Sequence, residues 1–333
     1  MNIDVSTIER EFAEKRTNAL KENAIYVQSI YNSSPELVKI NNEIKKLGIE
    51  ATKTALLHDD DKRQEKIDSL LKQIESLKVE KEKFLTKNGI SLEPKYECNK
   101  CKDTGYITEG TRSIMCSCMK QRMLDYHYNK VNTYKLKNEK FENFDETLFS
   151  KDKDESKYKV NISPRDNIIK IRQIAQSFID HFNDESTKNL LFVGTPGTGK
   201  TFLSGCIANE VLSKGHTVLY QTAPLLLDSV FEFKYNSSNK LSRELYDSLY
   251  NVDLLIIDDL GTENQSSAKF TELLNIINGR ILNPNTKTII STNFDLSHLA
   301  KLYDDRIISR LVGQYDICKF FGNDLRLSKS LKK

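Results

Sequence analysis

A chain of 333 residues with 38% hydrophobic content has room for two or three domains and a real core, which excludes an intrinsically disordered protein. Its 50 basic and 47 acidic side chains leave a net charge of only +3, so any nucleic-acid contact must come from local patches, not a global field. The N-terminus has no basic leader followed by an apolar stretch, and nowhere do about 18 apolar residues run together; a soluble, cytoplasmic protein with no membrane partner is expected.

From Met1 to about Pro94 the chain is polar and helical in period. Leu37, Ile40, Ile44, Leu47 and Ala51 form one three-four stripe, and Ile67, Leu70, Ile74, Leu77 and Phe84 form another beyond a break at His58-Asp-Asp-Asp-Lys62. Ser34-Pro35 reads as an N-cap and first-turn proline, and Asn88-Gly89 as a stop. Each stripe lasts only about two heptads, which favours an antiparallel helical hairpin over an intermolecular coiled coil. An apolar face left over on the preceding segment (Ile8, Phe12, Leu20, Ile25, Val27, Ile30) is free to dock a partner.

Residues 95–135 carry a different signal. Cys98-x-x-Cys101, then 14 residues, then Cys116-x-Cys118 supplies four soft ligands in two pairs, the donor set of tetrahedral Zn²⁺. A closed four-thiolate site leaves no position for substrate, so this zinc is structural; His127 is a spare ligand should Cys118 not bind. Lys102-Asp-Thr-Gly-Tyr106 predicts the tight turn and strand start of a zinc ribbon or knuckle. The competing reading, disulfides, is disfavoured in the cytosol. Cys206 and Cys318 lie in apolar surroundings and read as core.

A polar linker with Phe141, Phe144 and Phe149 leads to a charged run, Lys151 to Lys157, expected as a solvated loop. From Asp166 onward helices and strands alternate, with apolar runs at Leu190 to Val193, Val218 to Tyr220, Leu254 to Ile257, Ile289 to Ser291 and Ile317 to Phe320. That rhythm predicts an α/β domain with a parallel sheet covered on both faces. Three regions follow: a helical domain at 1–94, a zinc module at 95–135, and a linker with the α/β domain at 136–333.

Between the first strand and a helix stands Gly194-Thr195-Pro196-Gly197-Thr198-Gly199-Lys200-Thr201, with the full G-x-x-x-x-G-K-T spacing. Its glycines admit backbone angles that aim successive N–H groups at phosphate oxygens, Lys200 adds a charge for the β- and γ-phosphates, and Thr201 a hydroxyl for Mg²⁺. A chance glycine turn has no reason to keep that spacing in that setting. About 55 residues on, Leu254-Leu-Ile-Ile-Asp258-Asp259 is a buried strand ending in two carboxylates. Asp258 suits Mg²⁺ held through water, and Asp259 suits orienting or deprotonating the attacking water. Asn293 ends another buried strand, within reach of the γ-phosphate or that water. Arg306 and Arg310 share one helix face, where they serve either as a finger into a neighbouring subunit's site or as surface partners of Asp304 and Asp305.

The ordered set of P-loop, Asp258-Asp259-Leu-Gly, Ser-Thr-Asn293, Arg306-x-x-Ser-Arg310 and Gly322-Asn-Asp-Leu-Arg326 resembles the AAA+ ATPases. Within them it resembles the bacterial DnaC/DnaI-type helicase loaders and the related IstB-type transposition ATPases. The resemblance spans roughly Phe141 to Lys333. It implies that Lys200 and Thr201 bind ATP-Mg²⁺, Asp258 and Asp259 are the acidic pair, Asn293 is a first sensor, Arg310 is the likelier finger and Arg326 a second sensor. It further implies a protein that binds the replicative DNA helicase, self-associates with ATP and delivers the helicase to single-stranded DNA. The alternative is an IstB-type helper of transposition, a branch that usually lacks a cysteine module.

Two departures bear on mechanism. Many AAA+ members carry glutamate where Asp259 stands, so slow, switch-like hydrolysis is expected. Only 13 residues follow Phe320, too few for the helical lid of most AAA+ proteins. The insertion Thr222 to Asn251 corresponds in initiator-like members to a single-strand DNA path. Lys234, Lys240 and Arg243 would track phosphates and Phe231, Phe233 or Tyr235 stack bases there, unless its leucines and phenylalanines only build a helix core.

Overall fold

The computed structural model describes residues 5–57, 63–127, 138–236 and 240–326. The chain divides into two compact units, residues 1–114 and 115–333.

The first unit is built on three helices, α1 (Val5–Ser33), α2 (Pro35–Leu57) and α3 (Arg63–Lys87). Pro35 opens α2, where its missing N–H and fixed φ do no harm. Gly89, with φ +64°, ends α3 as Ile90 N–H turns back to the Leu85 carbonyl at 2.9 Å. Both apolar stripes are buried or half-buried, and Lys81 near the end of α3 donates to Asn41 near the start of α2, so the two run antiparallel as the periodicity requires. The acidic break at 58–62 lies outside the described residues. The face expected to be free on α1 is divided: Ile8 and Phe12 are buried, whereas Ile25 is 73% exposed. Lys15 pairs with Glu97 at 2.6 Å and Glu9 accepts from the Tyr106 hydroxyl at 2.7 Å, which ties α1 to the segment around the first cysteine pair.

The second unit carries a five-stranded parallel sheet. After the hairpin strands β1 (Tyr106–Glu109) and β2 (Arg112–Met115) and helix α4 (Ser117–His127), helix α5 (Pro164–Asp180) leads into β3 (Asn189–Gly194). Then come α6 (Lys200–Ser213), β4 (Val218–Thr222), α7 (Ala223–Phe231), a π-helical turn at Glu232–Asn236, α8 (Lys240–Asn251), β5 (Leu254–Asp258) and α9 (Ser267–Ile281). β6 (Lys287–Thr292), α10 (Leu296–Leu302), α11 (Asp305–Gln314) and β7 (Tyr315–Phe320) complete it. Strand order is β4-β5-β6-β3-β7, all parallel.

Strands β3 to β6 are buried on both faces, so their successive residues go to opposite cores, whereas the edge strand β7 leaves Asp316, Ile317 and Lys319 exposed. Leu190 and Phe192 join Leu254, Ile256 and Phe320 beneath α5 and α6, while Leu191 and Val193 join Leu255, Ile257 and Ile290 beneath α7, α9 and α11. The aromatics of the linker are not a free tether: Phe149 is buried in the first of these cores, with Phe141 and Phe144 packed against it. At the sheet edge the Gln121 amide of α4 exchanges two hydrogen bonds, 2.7 and 2.8 Å, with the Val218 main chain and so closes β4 to further pairing.

Among the described residues Arg280 is the largest fully buried side chain. It donates to the Leu249 carbonyl (2.7 Å), the Lys287 carbonyl (2.7 Å) and Thr288 Oγ1 (2.9 Å), fixing the start of β6 against α8 and α9. Arg280→Ala strands two buried carbonyls and opens a cavity, so a loss of about 3 kcal/mol in unfolding free energy is expected by denaturant titration.

Candidate nucleotide-binding site

Strand order dictates what meets the P-loop. Because β3 lies between β6 and β7, the loop that leaves its C-terminal end is flanked by Asn293 after β6 on one side and by Gly322 to Arg326 after β7 on the other. The glycines at 194, 197 and 199 have φ of +141°, +72° and +96°, which curls the loop around the start of α6. Lys200 Nζ donates to the Gly194 and Thr195 carbonyls at 2.8 and 2.9 Å. Burial lowers its pKa to about 8, opposed by the charges of Asp259 and Asp258.

The segment after β7 clasps this loop. Leu325 N–H donates to the Gly197 carbonyl at 2.9 Å, and the Asp324 carboxylate rests where a side chain on residue 197 would stand, so only glycine fits there. Arg326 is exposed, its N–H bonded to Asp324, and its charge reaches both Lys200 and Asp259. Beside the clasp a cavity of about 220 Å³ is lined by Thr147, Phe149, Pro164, Arg165, Asn323 and Leu325. Arg165 stiffens its wall by donating to the Thr147 and Phe149 carbonyls at 2.8 and 3.0 Å.

Asp258, 4% exposed, ends β5 with both oxygens occupied. Oδ2 accepts from the Tyr220 hydroxyl of β4 at 2.8 Å, and Oδ1 from the Ser291 hydroxyl of β6. Thr201 Oγ1 approaches Oδ1 at 3.5 Å. A Thr hydroxyl beside an oriented carboxylate is the oxygen donor pair that Mg²⁺ uses beside phosphates. Burial, then the Asp258 charge, drives the Tyr220 pKa well up, so the phenol remains a donor. Asp259 accepts from Asn293 Nδ2 at 3.0 Å, and its carboxyl pKa is raised by burial and by the neighbouring Asp258. Asn293 therefore orients Asp259 directly in this arrangement. Tyr220 and Ser291 were not singled out in the sequence, where each reads as an ordinary strand residue. The available signal was a hydroxyl near the C-terminal end of each strand flanking Asp258.

Several expected residues stand elsewhere. Arg306 Nη2 pairs with Asp304 at 2.7 Å on the surface, the competing reading of that arginine, while Arg310 Nε donates to Asn278 Oδ1 at 2.8 Å. The insertion after β4 is largely core: Leu226 and Leu227 are buried and Phe233 packs against them. Lys234, itself exposed, pairs with buried Glu272 at 2.8 Å, which ties this stretch to α9. Arg243 is exposed; the side chains of Tyr235, Lys240 and His127 lie outside the described residues. Cys98, Cys101, Cys116 and Cys118 bring their Sγ atoms within 4.8 Å of one another. Tetrahedral zinc with thiolates at about 2.3 Å needs sulfurs about 3.8 Å apart, so the four fit the ion. The tight turn of this module is present, with Lys102, Asp103 and Gly105 at positive φ, and buried Asp103 accepts from Cys98 N–H at 2.7 Å.

A parallel sheet with this strand order, P-loop and acidic strand end defines an AAA+ P-loop fold that binds ATP. Residues 136–333 match the family model of the IstB-like ATP binding protein, and the chain belongs to that family. It is 31% identical over 137 residues to the replicative helicase loader DnaC of Escherichia coli (strain K12), covering 41% of this chain and 55% of that protein. It is 28% identical over 142 residues to DnaC of Buchnera aphidicola subsp. Schizaphis graminum (strain Sg), covering 43% and 57%. The chain thus spans about half the length of the curated relatives it matches. Similar solved structures include a DnaC helicase loader (24% identity, 46% of this chain and 89% of that one, TM-score 0.41) and DnaI (24%, 55% and 95%, TM-score 0.41). Among the described residues no helix is long and apolar enough to cross a membrane.

Removing one oriented hydroxyl from Asp258 should weaken metal binding more than nucleotide binding. In Tyr220→Phe, the Mg²⁺ concentration for half-maximal binding of a fluorescent ATP analogue is expected to rise about tenfold, with metal-free affinity unchanged.

Proposed function

We propose that this chain is an ATP-switched loader of the replicative DNA helicase onto single-stranded DNA. The reading is carried by one observation: the chain shares 31% identity over 137 residues with a protein named replicative helicase loader DnaC. ATP seats its phosphates on residues 194–201 and its base in the cavity beside Phe149 and Leu325. Thr201 and Asp258 hold Mg²⁺, whose chemistry is to neutralise phosphate charge, and Asp259, oriented by Asn293, aligns the attacking water. The aspartate side chain is one methylene shorter than the glutamate of many AAA+ enzymes, which favours slow, switch-like turnover. Arg310 completes the site of a neighbouring subunit in an ATP-dependent homo-oligomer, and Arg326 senses the bound nucleotide. The three-part division at 1–94, 95–135 and 136–333 assigns helicase contact to the helices, with Ile25 and the rest of the exposed α1 face as the docking edge. It assigns a structural Zn²⁺ to the four cysteines and DNA contact to the ATPase domain. Transposition help is the weaker reading, since the curated relatives quoted above are named for helicase loading.

The purified protein should co-migrate with the replicative helicase, and with ATP should deposit it on single-stranded DNA. Lys200→Ala should keep the fold and lose ATP binding and this deposition. A wild-type protein without helicase affinity contradicts the reading, and unchanged ATP affinity in the variant removes the P-loop assignment. Metal analysis should find about one zinc per chain, lost in Cys101→Ser.

A further inference from the structure

Asp259 holds φ +57°, a left-handed conformation that aspartate tolerates better than most non-glycine residues and that its main-chain contacts hold in place. Its own N–H donates to Ser291 Oγ at 3.2 Å, Leu260 N–H donates to the Ser291 carbonyl at 2.8 Å, and Thr262 Oγ1 donates to the Asp259 carbonyl at 2.8 Å. The next contacts lead away from the site. Gly261 N–H donates to Glu263 Oε2 at 2.8 Å, and the Tyr303 hydroxyl donates to Glu263 Oε1. Glu263 and Tyr303 are 4% and 5% exposed.

Tyr303 sits at the junction of two helices. Its N–H closes α10 on the Leu299 carbonyl at 2.9 Å, and the next residue, Asp304, caps α11 by accepting from the Arg306 and Ile307 N–H groups. Its ring packs edge-on against Phe270, centroids 5.1 Å apart, so it cannot swing independently of the core. Gly261 has no slack either: a Cβ there would stand 2.7 Å from the ring of Phe294, the residue after Asn293. An apolar side chain at 263 would fill this space without the penalty of burying a carboxylate. What the carboxylate adds is two acceptors that join Gly261 to Tyr303.

The geometry points to Glu263 and Tyr303 as positioning residues that tie the placement of Asp259 to the helix carrying Arg306 and Arg310. This rests on the reading that the chain hydrolyses ATP with Asp259 at the attacking water. A partner that engages the arginines shifts α11, and the shift passes through Tyr303, Glu263 and Gly261 to Asp259 of the same chain.

Steady-state ATPase kinetics on the full chain test it. Tyr303→Phe keeps the ring and removes only the hydroxyl; kcat should fall at least about tenfold while KM stays within about twofold. Glu263→Gln can keep both contacts, its amide oxygen accepting from Gly261 and its nitrogen donating to the Tyr303 oxygen, so kcat should stay within about threefold of wild type. Glu263→Ala should behave as Tyr303→Phe does. Wild-type kcat in Tyr303→Phe, or a Glu263→Gln protein as impaired as Glu263→Ala, overturns the proposal; should Tyr303→Phe not fold, the two Glu263 variants decide. Lys200→Ala separates the two failures. If it hydrolyses ATP like wild type, the ATPase reading itself falls; if it is inactive while Tyr303→Phe is fully active, only the positioning role of Glu263 and Tyr303 falls.

Discussion

A carboxylate at the end of a strand buried on both faces is stable there only if each oxygen finds a donor, and Asp258 is where that demand falls. Its donors come from the strands on either side, Tyr220 of β4 and Ser291 of β6, with Thr201 of the P-loop helix close by. Meeting it fixes the register of three strands at their C-terminal ends. Everything else in the site is built outward from that point. Asp259 follows Asp258 into a left-handed turn, Asn293 follows Ser291 by two residues, and the P-loop lies beyond β6 because β3 pairs with that strand.

The same constraint explains what could be read from the sequence. Four of the sheet strands were legible because a parallel strand covered on both faces reads as an apolar run, and β7, with Asp316 and Lys319 exposed at the sheet edge, was legible only from its shorter apolar stretch. The P-loop was legible because phosphate binding imposes glycine, lysine and threonine at fixed spacing. Asp258 and Asp259 were legible as charges ending such a run. Their supports were not: Tyr220 lies 38 residues before Asp258 and Ser291 lies 33 after it, and only strand pairing brings them together. Glu263 and Tyr303 are 40 apart and meet for the same kind of reason. Residue type alone could not show that Lys234, in the insertion after β4, pairs with buried Glu272 on a helix 38 residues away.

The N-terminal unit follows simpler rules. Its helices were visible in their three-four stripes, and the cysteines in their paired spacing, because both are local signals. The fate of the leftover face on α1 was not local. Ile8 and Phe12 are buried while Ile25 stays exposed, a division that no periodicity within α1 encodes.

One nucleotide is proposed to be gripped jointly by the P-loop, the Asp258-Asp259 turn and the clasp after β7. Hydrogen exchange with and without ATP-Mg²⁺ tests it most directly. The account predicts that nucleotide slows exchange together at 194–201, 258–263 and 320–326, and leaves α7 unchanged. Protection confined to the P-loop, with 258–263 and 320–326 unaffected, would contradict it.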